Sequence, residues 1–206
     1  MADGPSCTVG TPFRPRGRQV DRDEARTRWS GWRSREIEIS EDLPERPVPV
    51  EIRGGWTSNF QIFPLRRTSS EIVTGGELGW TRGVRPTRAV VPAGFNSLRV
   101  VRRCPGRSVG GVARWRLSVL SGEELPHLSG TVSGSGAAVF RYEGGPAGVA
   151  FDFHSELAAN ALVFNRARGG EAIHLSRHSQ FKGVGRLPGA GFLSVPDCRR
   201  WVVKVL

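Results

Sequence analysis

RWRLSVL (residues 114–120) and RWVVKVL (residues 200–206) are one seven-residue phrase written twice, and their reading decides the fold. In the first copy Trp115, Leu117 and Val119 share one face of a strand, while Arg116 and Ser118 point the other way. In the second copy Trp201, Val203 and Val205 face inward and Lys204 outward. Wound as a helix, either phrase scatters its apolar residues around the cylinder. Both are therefore expected to be strands, each closing a core with its tryptophan.

Working outward, the likeness extends upstream of both phrases. PVPVEI (47–52) matches PAGVAF (146–151), and SNFQIF (58–63) matches ANALVF (159–164). TRGV (81–84) matches FKGV (181–184), and AGF (93–95) matches AGF (190–192). The offset drifts along the chain to 86 residues at the tryptophan phrases, as insertions in surface loops produce. Each copy holds short alternating runs punctuated by Gly, Pro, Ser or Asn, the pattern of a β-sandwich or barrel. In the first copy they fall at 36–40, 48–53, 58–65, 70–74, 87–91, 97–102 and 113–120. In the second they fall at 137–142, 148–154, 160–165, 171–176, 182–187, 191–195 and 199–206.

The expected fold is all-β: two similar antiparallel β-sandwich (jelly-roll-like) units in tandem behind a basic, mobile N-terminal tail. The expected boundaries are 1–35 for the tail, 36–120 for the first unit, 121–136 for a linker and 137–206 for the second unit. Phe60, Phe63, Phe95 and Trp115 are expected to fill the first core, and Phe151, Phe153, Phe164, Phe192 and Trp201 the second. DRDEARTRW (21–29) has the composition for a turn or two of helix on a partner. Twenty-seven glycines and fourteen prolines in 206 residues suit short strands joined by many turns.

RYEGGPAGVAF (141–151), GVGRLPGAGFLSV (183–195) and the closing W-x-V-x-V resemble small bacterial β-sandwich modules that occur singly or in tandem. The resemblance spans roughly residues 36–206 and implies a fold rather than a chemistry. The first copy departs from it: RYxGGPA is missing and a longer loop runs around Pro105–Gly111.

The formal net charge is +11, carried almost wholly by arginine, since Lys182 and Lys204 are the only lysines. Such a surplus suits an anionic partner, although arginine-biased coding produces the same composition. RPRGR (14–18) and RTRWSGWRSR (26–35) interleave guanidinium groups, which pair bidentately with phosphate, and indoles, which stack on bases. Arg14, Arg16, Arg18, Arg26, Arg28, Trp29, Trp32, Arg33 and Arg35 are thus the candidate partner-binding residues.

Asp152, His154 and Glu156 share one face of a strand, as do His174, Ser176 and His178 if that segment is extended. Paired, Asp152, His154, Glu156, His174 and His178 are the candidate metal ligands; a strand with one wet face shows the same alternation without a metal. No GxSxG, Walker loop, CxxC or HExxH is present, and the Gly-rich TGGELG (74–79) and GRSVGG (106–111) read as hairpin turns. Three widely spaced cysteines form neither a disulfide framework nor a zinc site.

The expectation is a non-catalytic binding or assembly module with no cofactor, whose tail docks on a protein partner and whose edge strands favour self-association. The alternatives are a nucleic-acid or anionic-surface binder acting through the tail, and a metal-dependent or sugar-active jelly-roll enzyme. The start, MADGPSCTVG, lacks the pattern of a secretory signal, and no apolar run is long enough for a transmembrane segment, so a cytoplasmic location is expected.

Overall fold

The computed structural model describes residues 28–40, 44–55, 59–81, 83–103, 114–154, 161–176 and 181–206. The first unit contains β1 (Arg28–Gly31), β2 (Arg35–Glu38), β3 (Val48–Arg53), β4 (Asn59–Arg67), β5 (Ile72–Thr74), β6 (Gly79–Trp80), β7 (Thr87–Val91), β8 (Ser97–Arg103) and β9 (Trp115–Val119). The second contains β10 (Thr131–Gly134), β11 (Ala138–Tyr142), β12 (Ala147–His154), β13 (Val163–Arg166), β14 (Ile173–His174), β15 (Lys182–Leu187), β16 (Gly191–Val195) and β17 (Arg200–Val205). A 3-10 turn at Gly122–Glu124 is the one helical element among the described residues.

The first unit forms sheets β1-β9-β3-β7 and β2-β8-β4-β5, with β6 added against β4. The second forms β10-β17-β12-β15 and β11-β16-β13-β14. Strand for strand the two orders are the same, and each is the two-sheet, eight-strand arrangement of a jelly roll. Stacking two sheets hides the apolar face that a single sheet leaves wet.

Pairing register tests the sequence likeness independently. Glu51 lies opposite Ser118 across β3 and β9, and Ala150 lies opposite Lys204 across β12 and β17. Both pairs obey the offsets read from PVPVEI/PAGVAF and from the tryptophan phrases. Between β7 and β15 the sequence match was out of step. TRGV falls before β7, whereas KGV lies within β15; Arg88 and Val184 hold the corresponding places opposite Glu51 and Ala150.

Two tryptophans close the two cores in the same way. Trp115 is fully buried and its indole N–H donates to the Arg33 carbonyl at 2.9 Å. Trp201 is buried and donates to the Gly136 carbonyl at 2.8 Å. Each ring lies under a glycine of the neighbouring edge strand. A Cβ on Gly31 would stand 2.6 Å from Trp115 Cζ2, and one on Gly134 would stand 2.5 Å from Trp201 Cζ2. A strand that must pass over an indole at contact distance has room for hydrogen alone.

Those contacts move the expected boundaries. The tail does not run to residue 35, because Arg28–Gly31 is already the edge strand paired with β9. Trp29 packs against the first core, so residues 28 and 29 are strand and not helix. Residues 1–27, including Arg14, Arg16, Arg18 and Arg26, lie outside the described residues. The expected linker likewise contains β10, paired with β17. In both places a short polar strand hides from periodicity because its apolar partner is a tryptophan about 70 to 85 residues away.

Two core expectations also change. Phe60 is fully buried, but Phe63 falls on the outer face of β4, one residue out of phase with the buried Phe164. A slip of one residue in a strand moves a side chain to the opposite face. Phe192 leaves the second core for the sheet's outer face, where it packs against Val90, Leu120, Leu125 and Val139. That cluster draws on both units and joins them. Phe95 packs at the rim of the first core, while Phe151, Phe153 and Phe164 are buried in the second.

Candidate functional site

The joint between the units forms a cleft. The outer face of β11-β16-β13-β14 lies beside the β7 edge of the first unit, with Val139 and Phe192 against Val90 and Leu120. Beyond this apolar contact the surfaces diverge around a volume of about 650 Å³. One wall comes from the second unit. Val139, Ser194, Val163 and His174 form one cross-strand row, and Arg141, Phe192 and Asn165 the next. Of these Val163, Asn165, His174 and Ser194 line the cleft, with Pro196 and Asp197 at its margin. The opposite wall comes from residues 76–80, including Glu77 and Trp80, together with Arg88, Val90 and Pro92.

Local structure places these groups. The β6 strand, which has no counterpart among the described residues of the second unit, brings Trp80 beside β7, where the Trp80 carbonyl accepts a 2.9 Å hydrogen bond from the Thr87 hydroxyl. Glu77 accepts from the Gln61 amide at 2.8 Å. Ser176 is buried and accepts from the Leu162 amide at 2.7 Å, which holds the chain beneath His174. Asn165 is buried, and its Oδ1 has no hydrogen-bond partner among the described residues.

A second surface is charged. On the outer face of β1-β9-β3-β7, Ser30, Arg116 and Arg53 form one row and Arg28, Ser118, Glu51 and Arg88 the next. Glu51 bridges two arginines, accepting from Arg53 Nε at 2.7 Å and from Arg88 Nε at 3.1 Å. Burial pushes the Glu51 carboxyl up, but the hydrogen bonds and charges of Arg53 and Arg88 prevail and hold it below its ordinary value.

Arg28, Trp32, Arg33 and Arg35 are exposed, and Trp29 is half-buried. Trp32 is 52% exposed, and the Arg114 guanidinium sits 5.8 Å from its ring centre. The described members of the expected partner-binding set are therefore split: Trp29 and the Arg33 carbonyl serve the core, and the Arg28, Trp32, Arg33 and Arg35 side chains stay at the surface. Arg53, Arg88 and Arg116 escaped the sequence reading. Their only signal is the alternation of strands that end up adjacent.

The candidate metal ligands are not brought together. Asp152 and His154 lie on the outer face of β12, with His154 Nε2 at 3.6 Å from Asp152 Oδ1 and Lys182 Nζ at 3.6 Å from Asp152 Oδ2. His174 stands on the outer face of the other sheet, across the sandwich. Two sheets about 10 Å apart separate them. Glu156 and His178 lie outside the described residues. Among the described residues no group of three His, Cys, Asp or Glu has metal-binding geometry. Cys198 is buried, and desolvation together with the Asp197 carboxylate pushes its thiol up to about 11; Cys7 and Cys104 lie outside the described residues.

No family model matches the chain, and no curated protein matches it. Among solved structures it is similar to the CUB1-EGF-CUB2 domain of human MASP-1/3 at 8% identity and a TM-score of 0.26, covering 84% of this chain and 99% of that one. A Parabacteroides distasonis protein is similar at 8% identity and a TM-score of 0.25, over 96% of this chain and 77% of that one. A Eubacterium rectale protein is similar at 12% identity and a TM-score of 0.24, over 87% of this chain and 67% of that one. Likeness at these TM-scores carries no argument, and the fold rests on the strand order and register above.

Proposed function

We propose that this protein is a non-catalytic binding module whose two jelly rolls together form a receptor cleft. One observation carries the reading: the cleft is composite. Neither unit makes it alone, and the units meet through a small apolar cluster of Val90, Leu120, Leu125, Val139 and Phe192. Concave sites of a few hundred Å³ with mixed apolar and polar lining concentrate at such joints. Trp80 offers an apolar ring, while His174, Ser194 and Glu77 offer donors and acceptors on facing walls. The lining thus combines apolar surface with hydrogen-bonding groups suited to holding a ligand.

Ligand-observed NMR with a panel of neutral sugars, small amines and short peptides tests this. Hits are expected with the wild-type chain and should be lost in Trp80→Ala and in His174→Ala. Hits that persist in the double variant, or a panel compound consumed over hours of incubation, would remove the reading.

A further inference from the structure

We propose that the outer face of sheet β1-β9-β3-β7 is a platform for single-stranded nucleic acid. This surface borders the cleft at Arg88, and the proposal does not depend on the reading of the cleft. Arg116 and Arg53 sit directly opposite each other across β9 and β3, and both are exposed. Directly opposed side chains lie about 5 Å apart at Cβ, where like charges destabilise a sheet.

The neighbouring row holds Arg28, Glu51 and Arg88, and Glu51, the one carboxylate of the face among the described residues, is already committed to Arg53 and Arg88. Among the described residues the face therefore carries four guanidinium groups against one carboxylate. Among the described residues Arg28 and Arg116 have no acidic partner. Arg116, with no carboxylate of its own, faces Arg53 across the sheet, and an anion between them would relieve the repulsion.

The end of the same face narrows the anion to one class. Arg114 precedes Arg116 by two residues, just before β9, and its Nη2 donates to Ser30 Oγ at 3.4 Å. Its guanidinium lies beside the exposed Trp32 ring. Guanidinium groups that track a backbone beside an open aromatic ring are the two elements of single-strand recognition: charge for phosphate and a face for an unpaired base. An acidic peptide uses the charge and leaves the ring idle. A lipid surface requires a belt of apolar side chains, whereas Ser30, Ser118 and Glu51 occupy the places between these arginines.

Fluorescence anisotropy of a labelled twelve-residue oligothymidylate against the full chain tests the proposal across a salt series. Each phosphate neutralised on a single strand contributes about 0.7 to the slope of log affinity against log salt. The Arg53→Ala/Arg116→Ala double variant should lower that slope by about 1.4, and the remainder reports arginines elsewhere in the chain. Trp32→Ala should weaken binding about five- to hundredfold with the slope unchanged.

Arg116→Glu guards against misfolding as an explanation: the new carboxylate faces Arg53, so thermal stability should hold or rise while binding falls. An unchanged slope in the double variant, or unchanged affinity in Trp32→Ala, overturns the proposal. So does equal competition by oligoglutamate or by phosphatidylserine vesicles.

Discussion

A glycine and a tryptophan set the closing contact of each unit. The indole lies across the edge strand, its N–H satisfied by a carbonyl two residues beyond the glycine: Gly31 with Arg33, and Gly134 with Gly136. A methyl group at either glycine overlaps ring carbon, and the ring has no empty space to enter. Gly31→Ala and Gly134→Ala should each cost about 1–3 kcal/mol, the usual penalty of overpacking, while Ser30→Ala on the exposed face should be near neutral. Chemical denaturation of the three variants checks this.

Glu51 gives a second residue-scale expectation. Its folded carboxyl is held below the ordinary value of 4.5 by Arg53 and Arg88, against the upward pull of burial. Above that value the unfolded chain carries no more protons there than the folded one, so the stabilisation is complete. As pH falls through the lower folded value, the carboxylate is protonated and the stabilisation disappears. The difference in melting temperature between wild type and Glu51→Gln should therefore be largest near neutral pH and shrink below about pH 4.5.

Among elements, β1 is the most informative. Its four residues cover Trp115, bury part of Trp29 and supply Arg28 to the charged face. A chain beginning at residue 28 keeps β1 and the Arg33 carbonyl and serves as the reference. A chain beginning at residue 36 loses the whole strand and the Arg33 carbonyl, which leaves Trp115 uncovered. Its first unit should lose at least about 3 kcal/mol, the scale of a lost large aromatic contact, with the Trp115 emission shifting to the red. Alternation could not reveal β1, because RWSG reads as basic tail until a tryptophan 84 residues downstream lies beneath it. Strands with apolar alternation, such as β3, β9, β12 and β17, were legible, since period-two patterning reports a half-buried surface whatever its partner.

At the scale of the molecule, the two units form one body through a few side chains. Val139 is 1% exposed at the centre of the joining cluster. Gly169 adds a backbone contact at positive φ, where a Cβ would stand 1.9 Å from the Glu45 carbonyl oxygen. Val139→Asp places an unpaired charge in the joint but leaves both tryptophan cores untouched. Calorimetry should then resolve two unfolding transitions in place of one, and ligand hits assigned to the cleft should vanish with the joint.

Sequence by itself determined the all-β character, the corresponding register of β3 with β12 and of β9 with β17, and the two closing tryptophans. Each of these is written locally, in alternation and in phrases long enough to match. Tertiary structure alone decided which outer faces are covered. Phe192 turns to the joint because another sandwich packs there; Arg53 meets Arg116 because β3 and β9 become neighbours; Asp152 and His174 part company because two sheets intervene. Chain order carries no measure of those distances, since the cost of closing a loop grows only slowly with its length and permits many pairings.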